Sequence, residues 1–150
     1  MKKPVHLFSY DSPLGGIGLH VQNGICRRVF LQETDAPPCP SHLQLTLWLD
    51  AYFSLPGFRE RPRLGRAANR FQSRMRKKLM GIPPGQTLSY GQLAKRVGSK
   101  PRAIGQALGA NPLPILVPCH RVVAKNGIGG FTCGEEWKRR LLQWEGAILL

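Results

Sequence analysis

Acidic residues are scarce in this chain, with 8 Asp and Glu against 22 Lys and Arg and a net charge of +14 over 150 residues. The scarcity is uneven. Between Glu60 and Glu135 there is no acid at all, while 14 Lys and Arg residues fall between Arg61 and Lys125. Solvated faces usually mix signs, so an acid-free stretch of this length points to a polyanion, and to nucleic acid first. A membrane surface is the weaker competitor, because it wants a basic amphipathic helix with a wide apolar face. Long hydrophobic runs are also missing. The longest, Leu113 to Val117, is interrupted by Pro114, well short of the roughly 20 residues that span a bilayer. The start, Met1-Lys2-Lys3 followed by Pro-Val-His-Leu-Phe-Ser-Tyr-Asp, is too short and polar for a signal-peptide core. A cytoplasmic protein without a membrane partner is expected. The 4 cysteines form no CxxC pair, and in that compartment disulfides are not expected. Cys39 and His42 have CxxH spacing but no second ligand pair, so no metal is expected. Cys26, in a strand-like run, reads as a small buried hydrophobe.

Repeats and low-complexity segments are absent, and the chain divides by pattern. Val5–Tyr10, Ile17–Val21 and Ile25–Leu31 read as strands, with Asn23-Gly24 as a hairpin turn. Ser41 can cap a helix whose inner face is Leu43, Leu47, Ala51 and Leu55. Residues 55–68, rich in Pro, Gly and Arg, read as a linker. The expected fold is α/β: an N-terminal β-sheet plus helix domain with linker over 1–66, and a helical C-terminal domain over 67–150. In the second part, Phe71, Met75 and Leu79 mark a helix face that Pro83-Pro84-Gly85 stops. Ser89 can cap a short helix ending at Gly98, and Ser99 the next, from about Arg102 to Ala110, with Ile104 and Leu108 inward. Two short helices joined by a tight turn make a helix-turn-helix. Gly105, Ala107 and Gly109 are odd choices for a helix expected to touch DNA, and glycine inside a helix costs about 1 kcal/mol relative to alanine. Close helix packing and close approach to a nucleic-acid backbone both account for them; with Arg102, the second suits a minor groove.

The chemistry concentrates in Asn111 to Val123. Pro112, Pro114 and Pro118 stiffen the backbone ahead of Cys119, which His120 and Arg121 follow. A buried thiol that merely packs is the bland reading. An electropositive neighbourhood is expected to lower the thiol pKa and favour a nucleophile. In an extended segment His120 points away from Cys119, so a water is expected between them. Glu145, beyond a helix patterned by Trp137, Leu141 and Leu142, can orient a histidine or lie exposed at the helix end.

These residues resemble the O6-alkylguanine-DNA alkyltransferases, also called methylated-DNA-protein-cysteine methyltransferases. The resemblance rests on Pro118-Cys119-His120-Arg121-Val122, Asn111-Pro112, Ser89-Tyr90-Gly91-Gln92-Leu93-Ala94, Arg102-Ala103-Ile104-Gly105, Asn126-Gly127-Ile128-Gly129-Gly130-Phe131 and Leu141-Leu142-Gln143-Trp144-Glu145-Gly146. Ser12-Pro13-Leu14-Gly15 and Phe71-Gln72 fit as well. It implies direct-reversal DNA repair by a monomer without a cofactor. The partner is double-stranded DNA bearing O6-alkylguanine, bound through its minor groove, with O4-alkylthymine as a second candidate lesion. The base is flipped, and its alkyl group passes irreversibly to Cys119 in one turnover. The implied catalytic set is Cys119, His120, Glu145, Asn111 and Tyr90. Tyr90, Val122, Thr132, Cys133 and Pro114 would hold the substrate; Arg102, Ala103, Gly105, Ala107 and Arg121 would hold DNA. The sequence departs from the family pattern at Phe131 (often Tyr), Glu135 (often apolar) and Cys133 (often Gly); Cys133 is expected to narrow the pocket toward small alkyl groups. A non-catalytic lesion-binding protein of the alkyltransferase-like type is the main rival, and Cys119 argues against it. A helix-turn-helix regulator would want polar base readers where Gly105, Ala107 and Gly109 stand, and a thiol hydrolase gives the basic stretch no role.

Overall fold

The computed structural model describes residues 3–54, 62–131 and 133–147, and the chain separates into two compact units at Gly65/Arg66. The first unit is an antiparallel sheet with strands β1 (His6–Ser12), β2 (Gly15–Gln22) and β3 (Ile25–Phe30) in that spatial order, plus helix α1 (Gln44–Ser54). The β2–β3 turn is Asn23-Gly24, both at positive φ (53° and 75°), as an Asn-Gly hairpin turn requires. Alternation on β2 buries Ile17, Leu19 and Val21, and Tyr10 of β1 stacks on Phe53 of α1 while donating a 2.6 Å hydrogen bond to Asp50.

One expectation fails in this unit, and a second is modified. The inner face of α1 is Leu45, Trp48, Leu49, Tyr52 and Phe53, and Leu47 is 57% exposed; Leu43 and Ala51 are only half-buried, and Leu55 lies outside the described residues. Apolar residues crowd both sides of this helix, so spacing fits two faces, and the aromatic side with more area to bury wins. The segment read as a linker is partly structural. Cys26 N donates to Arg63 O and Gly65 N to Cys26 O, at 3.1 and 2.7 Å, laying Leu64 alongside β3. Most of the rest, residues 55–61, falls outside the described residues.

The second unit contains α2 (Arg70–Met80), β4 (Leu88–Ser89), α3 (Tyr90–Val97), α4 (Pro101–Gly109), β5 (Val122–Val123) and α5 (Glu135–Trp144). Asn69 caps α2, which ends at Gly81, before the prolines. A full capping box, Ser89 with Gln92, starts α3, and left-handed Gly98 (φ 76°) ends it. Residues 98–100 turn the chain into α4, where Pro101 takes the first position and Lys100, not Ser99, stands at the cap without a side-chain bond. Leu88 and Ser89 pair in parallel with Val122 and Val123, a pairing of two residues that no periodicity announces. It ties the start of α3 to the segment carrying Cys119. No helix among the described residues is long and apolar enough to cross a membrane.

Candidate active site around Cys119

The approach to Cys119 is built from unusual backbone. Ile115 sits at φ 73°, a region a β-branched residue rarely enters. Pro118 (φ −78°, ψ 64°) centres an inverse γ-turn closed by a 2.7 Å bond from Cys119 N to Val117 O. Asn111 braces this loop from both ends: its Nδ2 donates to Val117 O and its Oδ1 accepts from Leu113 N, each at 3.1 Å. The Asn111 side chain also hydrogen-bonds Cys119. Cys119, His120 and Arg121 then form a single 3-10 turn rather than the extended segment expected.

That turn sends His120 and Arg121 inward. His120 is fully buried, with Nε2 2.8 Å from Glu145 Oε2. The carboxylate can only accept here, so Nε2 carries the hydrogen and Nδ1 keeps a lone pair. Nδ1 is buried and has no hydrogen-bond partner among the described residues. Arg121 donates through Nε and one terminal nitrogen to the two Glu145 oxygens at 2.8 and 2.7 Å, and through its other terminal nitrogen to Ile82 O at 2.6 Å. Burial alone would raise the Glu145 carboxyl, but the His120 imidazole and the Arg121 guanidinium outweigh it and hold it well below the usual carboxylate range. Burial lowers His120, with Arg121 and Lys138 adding to that and Glu145 opposing it.

The expected thiolate is corrected by this arrangement. Burial pushes the Cys119 thiol up to about 11, against the hydrogen bond from Asn111 and the charge of Lys138. The neighbouring cations do not activate it as the sequence suggested, because Arg121 is neutralised by Glu145 and His120 is held neutral. The DNA-contacting role expected of Arg121 is corrected as well: the side chain is 4% exposed and spent inside. Ala107 likewise faces inward, 7% exposed, its carbonyl accepting from Gln72 Nε2 at 3.0 Å.

A cleft of about 140 Å³ opens beside Cys119, between Gly105, Leu108 and Gly109 of α4 and Gly130 and Phe131 of the loop before α5, with Tyr90 from the start of α3. The Tyr90 hydroxyl donates to Gly130 O at 3.4 Å, and its pKa is raised by burial and by the nearby Cys119. Gly129, at φ 77°, is required: a Cβ there would lie 2.8 Å from that hydroxyl. Arg102 and Gly105 are exposed and Ala103 half-buried. A Cβ on Gly105 would meet nothing within 4 Å, so close helix packing does not explain this glycine. Pro114 and Val122 are buried and are not among the residues that line this cleft. Cys133 is half-buried and close enough for its charge to raise the Cys119 thiol. Thr132 lies outside the described residues.

Sequence reasoning missed Lys138. It is 1% exposed, donates to Val122 O at 2.7 Å and Gly130 O at 3.1 Å, and has its ammonium 5.7 Å from the centre of the Tyr90 ring. Burial lowers its pKa to about 8, against the pull of Cys119 and Glu135. The signal was available: Lys138 shares a helical stripe with Leu141, Leu142 and Glu145, where an exposed lysine does not belong.

The protein-family model described as "6-O-methylguanine DNA methyltransferase, DNA binding domain" matches residues 70–147, more than half of the chain. The chain belongs to the 6-O-methylguanine DNA methyltransferase family. Similar relatives are named methylated-DNA--protein-cysteine methyltransferase. One, from Metallosphaera sedula, is 46% identical over 81 residues, 54% of this chain and 52% of that protein. Another, from Saccharolobus solfataricus, is 42% identical over 98 residues, 65% of each chain. The match thus spans about half to two thirds of these curated relatives. Among solved structures, the Mycobacterium tuberculosis O6-methylguanine methyltransferase superposes with a TM-score of 0.80 at 32% identity, over 95% of this chain and 93% of that one. The Mycobacterium tuberculosis OGT in complex with DNA gives 0.79 at 34% identity, over 94% and 93%. The mixed α/β architecture, a small N-terminal sheet with helices, is that of this methyltransferase fold.

Proposed function

We propose that this chain repairs alkylated DNA by taking the alkyl group from O6 of guanine onto the Cys119 sulfur. The observation that carries this reading is the hydrogen-bonded set around one thiol: Asn111 on Cys119, and Glu145 holding a neutral His120, all beside a cleft that Tyr90 lines. In the proposed reaction Cys119 gives its proton through a water to His120 Nδ1, and Lys138 stabilises the thiolate that results. The sulfur attacks the alkyl carbon in line, the carbon–O6 bond breaks, and its electron pair leaves with guanine. Tyr90 protonates the departing base, and the proton on His120 restores Tyr90 through solvent. The thiol proton thus ends on guanine. The product is a thioether, which has no easy hydrolysis, so each molecule acts once, and no cofactor enters the balance.

The DNA-facing element in this reading is the helix-turn-helix of α3 and α4. The exposed Arg102 fills the space a flipped guanine leaves, and the side-chain-free surface at Gly105 and Gly109 lets the helix approach a minor groove. Gly105 supports this best, since no described residue comes within 4 Å of where its Cβ would stand. Arg121 and Ala107 have no part in that contact. O4-alkylthymine remains a second candidate substrate, the working unit a monomer, and the compartment the cytoplasm.

The test is incubation with a duplex carrying one O6-methylguanine, followed by intact mass and a binding assay. A gain of one methyl per protein is expected. Retained binding without mass gain would instead favour a lesion-binding protein that transfers nothing.

A further inference from the structure

Helix α2 carries a row of cations that the proposed active site does not use. Arg70, Arg74, Lys77 and Lys78 are all exposed, and their i, i+4, i+7, i+8 spacing places them on one face, about 100° of turn per residue. No ion pair reaches any of them among the described residues, and the sequence offers no acid between Glu60 and Glu135. Such a row works against its own helix. Like charges at i, i+4 (Arg70 with Arg74, Arg74 with Lys78) repel, and Arg70 sits in the first turn, where the helix dipole disfavours a cation. Lys77 and Lys78 in the last turn suit the dipole, but Arg70 and Arg74 gain nothing from it. Arg74 lies over the Phe71 ring, at 5.9 Å.

The direction of the row matters more than its charge. Gln72 Nε2 reaches Ala107 O of α4 at 3.0 Å, and Met75 and Leu79 are buried. Those three lie on the side of α2 opposite the cations, so the row faces away from α4. Arg70 to Lys78 covers about 12 Å at 1.5 Å per residue, the length of three to four nucleotide rises of about 3.4 Å on one strand.

We propose that the α2 row is a second phosphate-binding surface, which holds a segment of DNA duplex other than the one facing α4. The inference rests on DNA being the partner. Its consequence is that the protein can touch two segments at once and pass directly between them while searching for a lesion.

The test compares the wild type with R70Q/R74Q/K77Q/K78Q, in which glutamine preserves helix propensity. Affinity for an undamaged duplex is followed against salt, and the slope of log K with log salt should shrink by up to about 0.9 for each lost phosphate contact. Release of a labelled duplex should quicken with the concentration of unlabelled competitor for the wild type, and not for the variant. R27Q/R28Q, charges removed from the first unit, should leave competitor-driven release intact. The variant should keep its melting temperature or gain. An unchanged slope, or competitor-driven release equal in both proteins or absent from both, would overturn the proposal. Binding of the row to vesicles of anionic lipid with no change in either DNA measurement would overturn it too. Methyl transfer from a saturating methylated duplex, read by intact mass, should be equal in wild type and variant. Its absence from both would strike at the alkyl-transfer reading and leave the DNA measurements to decide the row.

Discussion

Burial pushes the Cys119 thiol up to about 11, so at neutral pH it rests as a thiol. Alkylation of Cys119 by iodoacetamide in the free protein should therefore keep rising tenfold per pH unit through pH 8.5 to at least 10, since half-ionisation lies near 11. A rate that levels off near 8.5 would show an ordinary thiol. Glu145 is the residue on which His120 and Arg121 both depend. Removing its charge with Glu145→Gln leaves the Arg121 guanidinium buried without its counter-ion, a loss of about 3–5 kcal/mol, measurable by urea unfolding at pH 7. The folded carboxyl titrates below its usual value. Its contribution is therefore whole above about pH 4.3, the ordinary glutamate value, and fades as pH falls toward the folded one. The gap between wild type and variant should narrow on acidification below pH 4, and a gap constant from pH 7 to 3 would contradict the pairing. Cys119, His120 and Asn111 were legible because they are neighbours in one short segment. The inward turn of Arg121 was not. A charge reads as exposed until its partner is known, and that partner stands 24 residues away.

Among the elements, those with local punctuation could be read in advance. Ser89 with Gln92, and Gly98, give α3 its two ends, and Asn23-Gly24 gives the hairpin. Elements decided by distant packing could not. The buried side of α1 was chosen by Trp48, Tyr52 and Phe53 among two apolar sides, and β4–β5 depends on a pairing across 34 residues of sequence. Helix α4 gives the sharpest test at this scale, because its glycine sets stability against binding. In Gly105→Ala the new methyl meets open space, so the helix should gain about 0.5–1 kcal/mol in thermal unfolding. The same methyl would stand where α4 approaches DNA, and affinity for a duplex should fall. A variant both stabler and equally tight in binding would remove the reason for a bare helix face.

At the scale of the whole chain, two features work together: a surplus of positive charge without local acids, and one thiol enclosed by neutralised partners. The first was plain in the sequence and attracts a polyanion over many residues. The second needed the fold, because only packing pairs the Arg121 guanidinium with Glu145 and buries His120 beside it. In the proposed reading, their combination gives a protein drawn to DNA at large yet reactive at one atom. Cys133 makes that last point testable, as a second thiol close enough to act on the first. The most direct measurement is peptide mapping by mass spectrometry after reaction with a duplex carrying one O6-methylguanine, with the DNA analysed in parallel. The account predicts one methyl per protein, on Cys119 alone, and guanine restored in the DNA. Methyl on Cys133, or a protein unmodified while it binds the lesion, would contradict it.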